Sequence, residues 1–91
     1  MPHLVCEYEF EPPLGDEDYR SAFNALKPCL DVRGIRRLRS WLSEDRKRGI
    51  CEYEAADMQS LRDAYRAASV PFARIWSGKL FEFGAPSAEG S

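Results

Sequence analysis

A chain of 91 residues with a formal charge of -2 has the length of one domain and lacks the basic surplus that a nucleic-acid surface requires. It is 44% hydrophobic and 31% charged, an ordinary globular composition, and no run approaches the ~18 apolar residues of a membrane span. Its three cysteines form no Cys-x-x-Cys and its first residues carry no basic-then-apolar leader, so the expectation is free thiols in a cytoplasmic setting, with neither nucleic acid nor membrane as partner.

Residues His3 to Glu11 alternate. Leu4, Cys6, Tyr8 and Phe10 fall to one side, Val5, Glu7, Glu9 and Glu11 to the other, the pattern of a half-buried strand. Pro12, Pro13 and Gly15 end it. Asp16 is the expected N-cap of a helix, with Glu17 and Asp18 at its positive end. Tyr19, Ala22, Phe23, Leu26 and Leu30 recur at helical spacing, while Pro28 predicts that the helix ends or kinks near Lys27.

A second strand is expected over Ile35 to Ser43, a polar turn over Glu44 to Lys47, and a third strand over Arg48 to Glu54. One hairpin register satisfies both faces. It sets Ser43 against Arg48, Trp41 against Ile50, Arg39 against Glu52 and Arg37 against Glu54, and sends Leu38, Leu42, Cys51 and Tyr53 to the opposite side. The arginines around this hairpin are then cross-strand partners of glutamates; an anion site is the alternative use for them. Asp57 caps a second helix with the stripe Met58, Leu61, Ala64, Tyr65 and Ala68, closed by Ser69-Val70-Pro71. The fourth strand is expected from about Phe72 to Phe83, bent or bulged at Gly78, with residues 84–91 a disordered tail.

The order β-α-β-β-α-β predicts an α+β domain over residues 1–83: a ferredoxin-like, four-stranded antiparallel sheet with both helices on one face. The tetrapeptide Cys-Glu-Tyr-Glu occurs at Cys6–Glu9 and again at Cys51–Glu54. This repeat suggests two similar halves whose first strands lie side by side as central, parallel neighbours. Cys6, Tyr8, Cys51 and Tyr53 then face the helices, and Glu7, Glu9, Glu52 and Glu54 face away.

The run Gly34-Ile35-Arg36-Arg37-Leu38-Arg39-Ser40-Trp41-Leu42-Ser43-Glu44-Asp45 resembles the strand-and-turn signature of a small bacterial domain family of largely unassigned function. Cys51-Glu52-Tyr53-Glu54-Ala55, with the helix after it and Pro71, resembles the same family, as does Glu7 before Phe10. The likeness spans roughly residues 4 to 76. It implies a ferredoxin-like fold, a homodimer and the binding of a divalent metal, since the family includes a nickel-binding protein. The family pattern often carries a histidine in the second helix where this chain has Ala64; the one histidine here is His3.

Four sets of residues are candidates for function. Glu7 and Glu52, predicted neighbours on the outer sheet face, with His3 toward the strand end, form a candidate site for Ni2+ or another divalent metal; carboxylates alone favour harder ions, and the other use of this face is charge pairing with Arg37 and Arg39. Tyr8, Cys51, Tyr53 and Tyr65, in an aromatic set that extends to Phe10, Phe23, Phe72 and Trp76, line a candidate ligand cavity between sheet and helices, and the same aromatics are also what a core needs. Met1-Pro2-His3 resembles the opening of tautomerases, in which a proline amine freed by loss of methionine acts as general base, a role that needs an apolar pocket to lower its pKa. Trp41, Ile50 and Arg39 are the expected homodimer contact, an exposed tryptophan beside cross-strand ion pairs. The function classes are therefore metal binding, an isomerase using Pro2, and a non-catalytic ligand-binding or interaction module.

Overall fold

Alternation becomes structure at the first strand. In the computed structural model, which describes residues 2–83, β1 (His3–Glu9) buries Leu4, Cys6 and Tyr8 against the helices. It is followed by α1 (Asp16–Asp31), β2 (Arg36–Leu42), β3 (Arg48–Glu54), α2 (Met58–Ala67) and β4 (Arg74–Gly78). The four strands form one antiparallel sheet in the order β2-β3-β1-β4. This is the ferredoxin-like arrangement expected. Leu26 and Leu30 of α1 and Leu61, Ala64 and Tyr65 of α2 cover one sheet face and close the core over Cys51 and Tyr53. Each large apolar side chain buried there contributes roughly 1.5–3 kcal/mol. Among the described residues no layer covers the other face, the open face of the sheet.

The helices follow their caps and stripes with two differences. Asp57 accepts from the Ser60 amide at 2.7 Å, so it caps α2 as expected. Asp16 instead begins α1, and Gly15 stands at the N-cap without a side-chain bond. The Asp16 carboxylate pairs with Arg46 across the hairpin turn. Pro28 does not end α1, which runs on to Asp31; the Pro28 carbonyl accepts from the Val32 amide at 3.1 Å. Burial of Leu26 on one side of the proline and Leu30 on the other holds the last turn in place.

The strands depart from expectation in three places. β1 and β3 run antiparallel, with Cys6 opposite Cys51, so the two tetrapeptides cross at their cysteines and diverge. A β-α-β unit of this topology leaves one strand's width between β1 and β2, and the strand that fills it arrives from a hairpin, hence in the opposite direction. The hairpin register holds for Trp41–Ile50, Arg39–Glu52 and Ser43–Arg48, but it slips between Arg37 and Arg39. This bulge pairs Arg36, not Arg37, with Glu54. Arg37 pairs with Tyr53 and lays its guanidinium 4.3 Å over the Phe23 ring. β4 stops at Gly78 because its partner begins at His3, and no strand remains beyond that pair to bond to. The expected tail, residues 84–91, lies outside the described residues.

Candidate functional site

The open face carries the predicted metal residues, and the antiparallel register sets their distances. Glu7 lies opposite Ile50 and Glu52 opposite Val5, so the two carboxylates are offset by two residues instead of adjacent. Glu7 takes both its bonds from β4: Arg74 Nη1 donates to Oε1 at 2.6 Å and Trp76 Nε1 donates to Oε2 at 2.6 Å. These bonds, the Trp76 one foremost, hold the Glu7 carboxyl below the usual carboxylate range. Glu52 is approached by His3 instead. His3 Nε2 stands 3.2 Å from Glu52 Oε1, and Arg39 Nε donates to the same oxygen at 3.1 Å. The His3 and Glu52 side chains are only 17% and 13% exposed. Glu54 pairs with Arg36 at 3.1 Å. The expected acidic face is thus a row of separate ion pairs. Among the described residues no three His, Cys, Asp or Glu side chains converge on one point; His3 and Glu52 are the pair that meets.

The helix-facing side buries its thiols and phenols. Cys6 and Cys51 are fully buried and unbridged. Burial pushes the Cys6 thiol up to about 12. Ser40 Oγ donates to Cys51 Sγ at 2.9 Å, and the Cys51 thiol donates to the Tyr8 hydroxyl at 3.5 Å. The Tyr53 and Tyr65 hydroxyls share a 2.6 Å bond. Burial raises the phenols of Tyr8, Tyr53 and Tyr65 above their ordinary range.

A cavity of about 320 Å³ lies between α1 and the end of α2, lined by part of the predicted set. Tyr8 and Tyr65 border it; Cys51 and Tyr53 are sealed beneath. Phe10, Leu14, Phe23 and Val70 are among the other residues of the wall. Phe10 and Phe23 belong to the aromatic set expected there, whereas Leu14 and Val70 sit in loops where periodicity gives no signal. Pro2 is exposed, its carbonyl accepting from the Ala55 amide at 3.3 Å, and it borders none of the cavities described here.

Of the predicted contact residues, Trp41 and Arg39 are exposed and Ile50 is half-exposed; Trp76, expected among the cavity aromatics, lies on the open face instead, bonded to Glu7. Trp41 is 65% accessible and Trp76 44%. Trp41 and Ile50 border a groove of about 420 Å³ that runs across the sheet end between Glu7, Glu9, Arg48 and Arg74. Among the described residues no helix is long and apolar enough to cross a membrane.

Among curated proteins none matches the chain. The crystal structure of SCO4226 from Streptomyces coelicolor A3(2) superposes with a TM-score of 0.78, over 88% of this chain and 99% of that one, at 11% identity. At that identity the likeness is one of fold. A family model described as "nickel responsive protein SCO4226-like" matches residues 5–77, the whole sheet-and-helix unit without its first two strand residues and last strand residue. By that match the chain belongs to the SCO4226-like family of nickel-responsive proteins.

Proposed function

We propose that this protein is a non-catalytic homodimer that binds a divalent transition metal such as Ni2+ between two apposed open faces. The observation that carries the reading is the His3–Glu52 pair, an imidazole and a carboxylate 3.2 Å apart and largely shielded on the two central strands. Nickel favours imidazole, and four to six donors complete its shell. One chain supplies two, which is too few. Two copies related by a two-fold axis supply four, so the fit is to a dimer and not to a monomer. Family membership supports the choice of ion, and the exposed Trp41 and half-exposed Ile50 support the choice of face. The chain's own residues bind and orient; a metal held there would supply charge and ligand bonds between the copies. Arg39 competes for the same Glu52 oxygen, so metal binding exchanges an ion pair for a ligand bond.

Calorimetric titration of tag-free protein with Ni2+, Zn2+ and Cu2+, paired with native mass spectrometry, tests the reading. A fixed number of ions per dimer, lost in His3→Ala and Glu52→Gln, is expected. Glu7→Gln should retain binding, because Arg74 and Trp76 already occupy both Glu7 oxygens. Trp41→Glu should give monomers by light scattering. Ion binding unchanged in His3→Ala sinks the metal site, and an unchanged dimer in Trp41→Glu sinks the interface.

A second reading is favoured by the cavity of about 320 Å³ under the helices, which lies within the range of small-ligand sites. Its occupant would be a small, mostly apolar molecule contacting the Tyr8 and Tyr65 rings. A thermal-shift screen of small aromatic compounds tests it: stabilisation lost in Ala68→Phe, which fills the wall, supports the cavity, and no stabilisation by any compound counts against it.

A further inference from the structure

The outward side chains of the sheet form a grid. Residues opposite one another in adjacent strands share a face, and the strands run in the order β2-β3-β1-β4. Trp41, Ile50, Glu7 and Arg74 make one row across the open face. Arg39, Glu52, Val5 and Trp76 make the next. Arg48 and Glu9 stand opposite each other beyond the first row. Each edge strand thus carries one tryptophan and one arginine, and the two strands carry them in opposite order. Trp41 shares its row with Arg74, and Arg39 shares its row with Trp76. All four side chains are exposed. His3 belongs to β1 and Glu52 to β3, so the point where they meet lies on the seam between the two central strands.

We infer that two copies pack open face to open face about a two-fold axis running along this seam, with Trp41 of each copy stacked on the partner's Arg74 and Arg39 on the partner's Trp76. The inference rests on the metal-binding dimer proposed above and names the contacts by which one copy recognises another. A two-fold axis along the strands keeps every row at its own height and exchanges left for right. β2 then lies over the partner's β4, and β3 over the partner's β1, in aligned sheets roughly 10 Å apart. The two His3–Glu52 pairs face each other across the axis, as a shared metal requires. The same operation sets each tryptophan against a guanidinium. It also sets Arg48 against the partner's Glu9. Among the described residues Glu9 and Arg48 form no ion pair, so the exchange supplies each with an opposite charge. A stacked guanidinium presents its face and keeps its donors, so Arg74 retains its bond to Glu7. Arg39 is the contact that metal binding strengthens, because Glu52 turned to a metal releases the guanidinium it holds in the single chain. A two-fold axis across the strands through the same point slides the Trp41 row past the end of the partner's sheet, which stops at His3 and Gly78.

Sedimentation equilibrium of the full-length protein, with and without Ni2+, tests the contacts through Trp41→Arg, Arg74→Trp and the double variant that exchanges the two. Trp41 and Arg74 are both exposed, so all three variants should fold. Trp41→Arg sets two arginines against each other and is expected to weaken self-association by about tenfold or more. Trp41→Arg/Arg74→Trp rebuilds the stack with its partners reversed. It should recover most of that loss, and by more than the two single effects added together. A double variant that follows the sum of the singles, or wild-type affinity in Trp41→Arg, overturns the seam axis while the wild-type dimer and its ion count stand. A wild-type chain that stays monomeric at every concentration, with and without Ni2+, overturns the dimer reading as well.

Discussion

Gly49 shows how one missing side chain sets the sheet. It lies opposite Tyr8 on one side and Leu42 on the other. A Cβ there would strike the Tyr8 ring and come within 2.5 Å of the Trp41 carbonyl oxygen. The oxygen belongs to a bonded strand and cannot swing away. Replacing glycine in a strand ordinarily stabilises by about 0.4–1 kcal/mol through the unfolded chain. Here overpacking should reverse the sign, and Gly49→Ala is expected to cost about 1–3 kcal/mol in urea unfolding; a stabilised variant would show that Tyr8 does not approach this closely. The thiols give a second check. Cys6 and Cys51 are fully buried and Cys29 is half-buried on α1. Of the three cysteines in the chain, one should react with a thiol reagent in native protein at about pH 8, and all three after unfolding. Two fast thiols in the native state would place Cys6 or Cys51 at the surface.

The elements show what was legible and what was not. β3 appears with the bounds its alternation predicts, because Cys51 and Tyr53 inward against Glu52 and Glu54 outward leave one register only. The bulge in β2 left no such mark: Arg36 and Arg37 are both charged, so a one-residue slip between the faces changes nothing in the hydropathy pattern. Identical tetrapeptides suggested strands related by translation, and connectivity, which sequence similarity does not carry, made them antiparallel. The β4 pattern does continue through Leu80 and Phe81, but β1 ends first, and a strand needs a neighbour. Pro28 does not end α1 for a related reason. Local preference is a weak guide where tertiary packing intervenes, and Leu26 and Leu30 anchor the turn around it. The cost of that proline remains in the fold. Pro28 and Asn24 are both exposed, and an alanine amide at 28 would find the Asn24 carbonyl one turn back. Pro28→Ala is therefore expected to stabilise the protein by about 1–2 kcal/mol, the helix gain less the freedom returned to the unfolded chain. A thermal midpoint that falls would mean that the last turn of α1 depends on the proline ring.

The candidate site was partly legible: composition named the one histidine, and alternation placed it on the outer face with Glu52. Their approach, across 49 residues of chain, came from the β1–β3 register, which spacing alone could not supply. The core carries a consequence for the molecule as a whole, because Cys6, Tyr8, Tyr53 and Tyr65 put one thiol and three phenols under a single pair of helices. Burial raises all four above their unfolded values of 9.0 for the thiol and 10.0 for the phenols. A raised acid keeps in the folded state a proton that the unfolded chain releases. Its contribution is therefore intact below about pH 9 and lost as pH climbs toward the folded value, about 12 for Cys6. Each group whose proton count differs between the states removes on the order of 1.4 kcal/mol per pH unit. Four such groups exhaust a stability of roughly 5–15 kcal/mol within a few pH units. The protein should unfold cooperatively in the alkaline range, above the unfolded phenol pKa, with the ionisation of the three buried tyrosines coinciding with loss of circular dichroism. Gradual ionisation of these tyrosines well before the backbone unfolds would mean that water reaches the hydroxyls beneath the helices, and that the 2.6 Å Tyr53–Tyr65 bond is not sealed in the core.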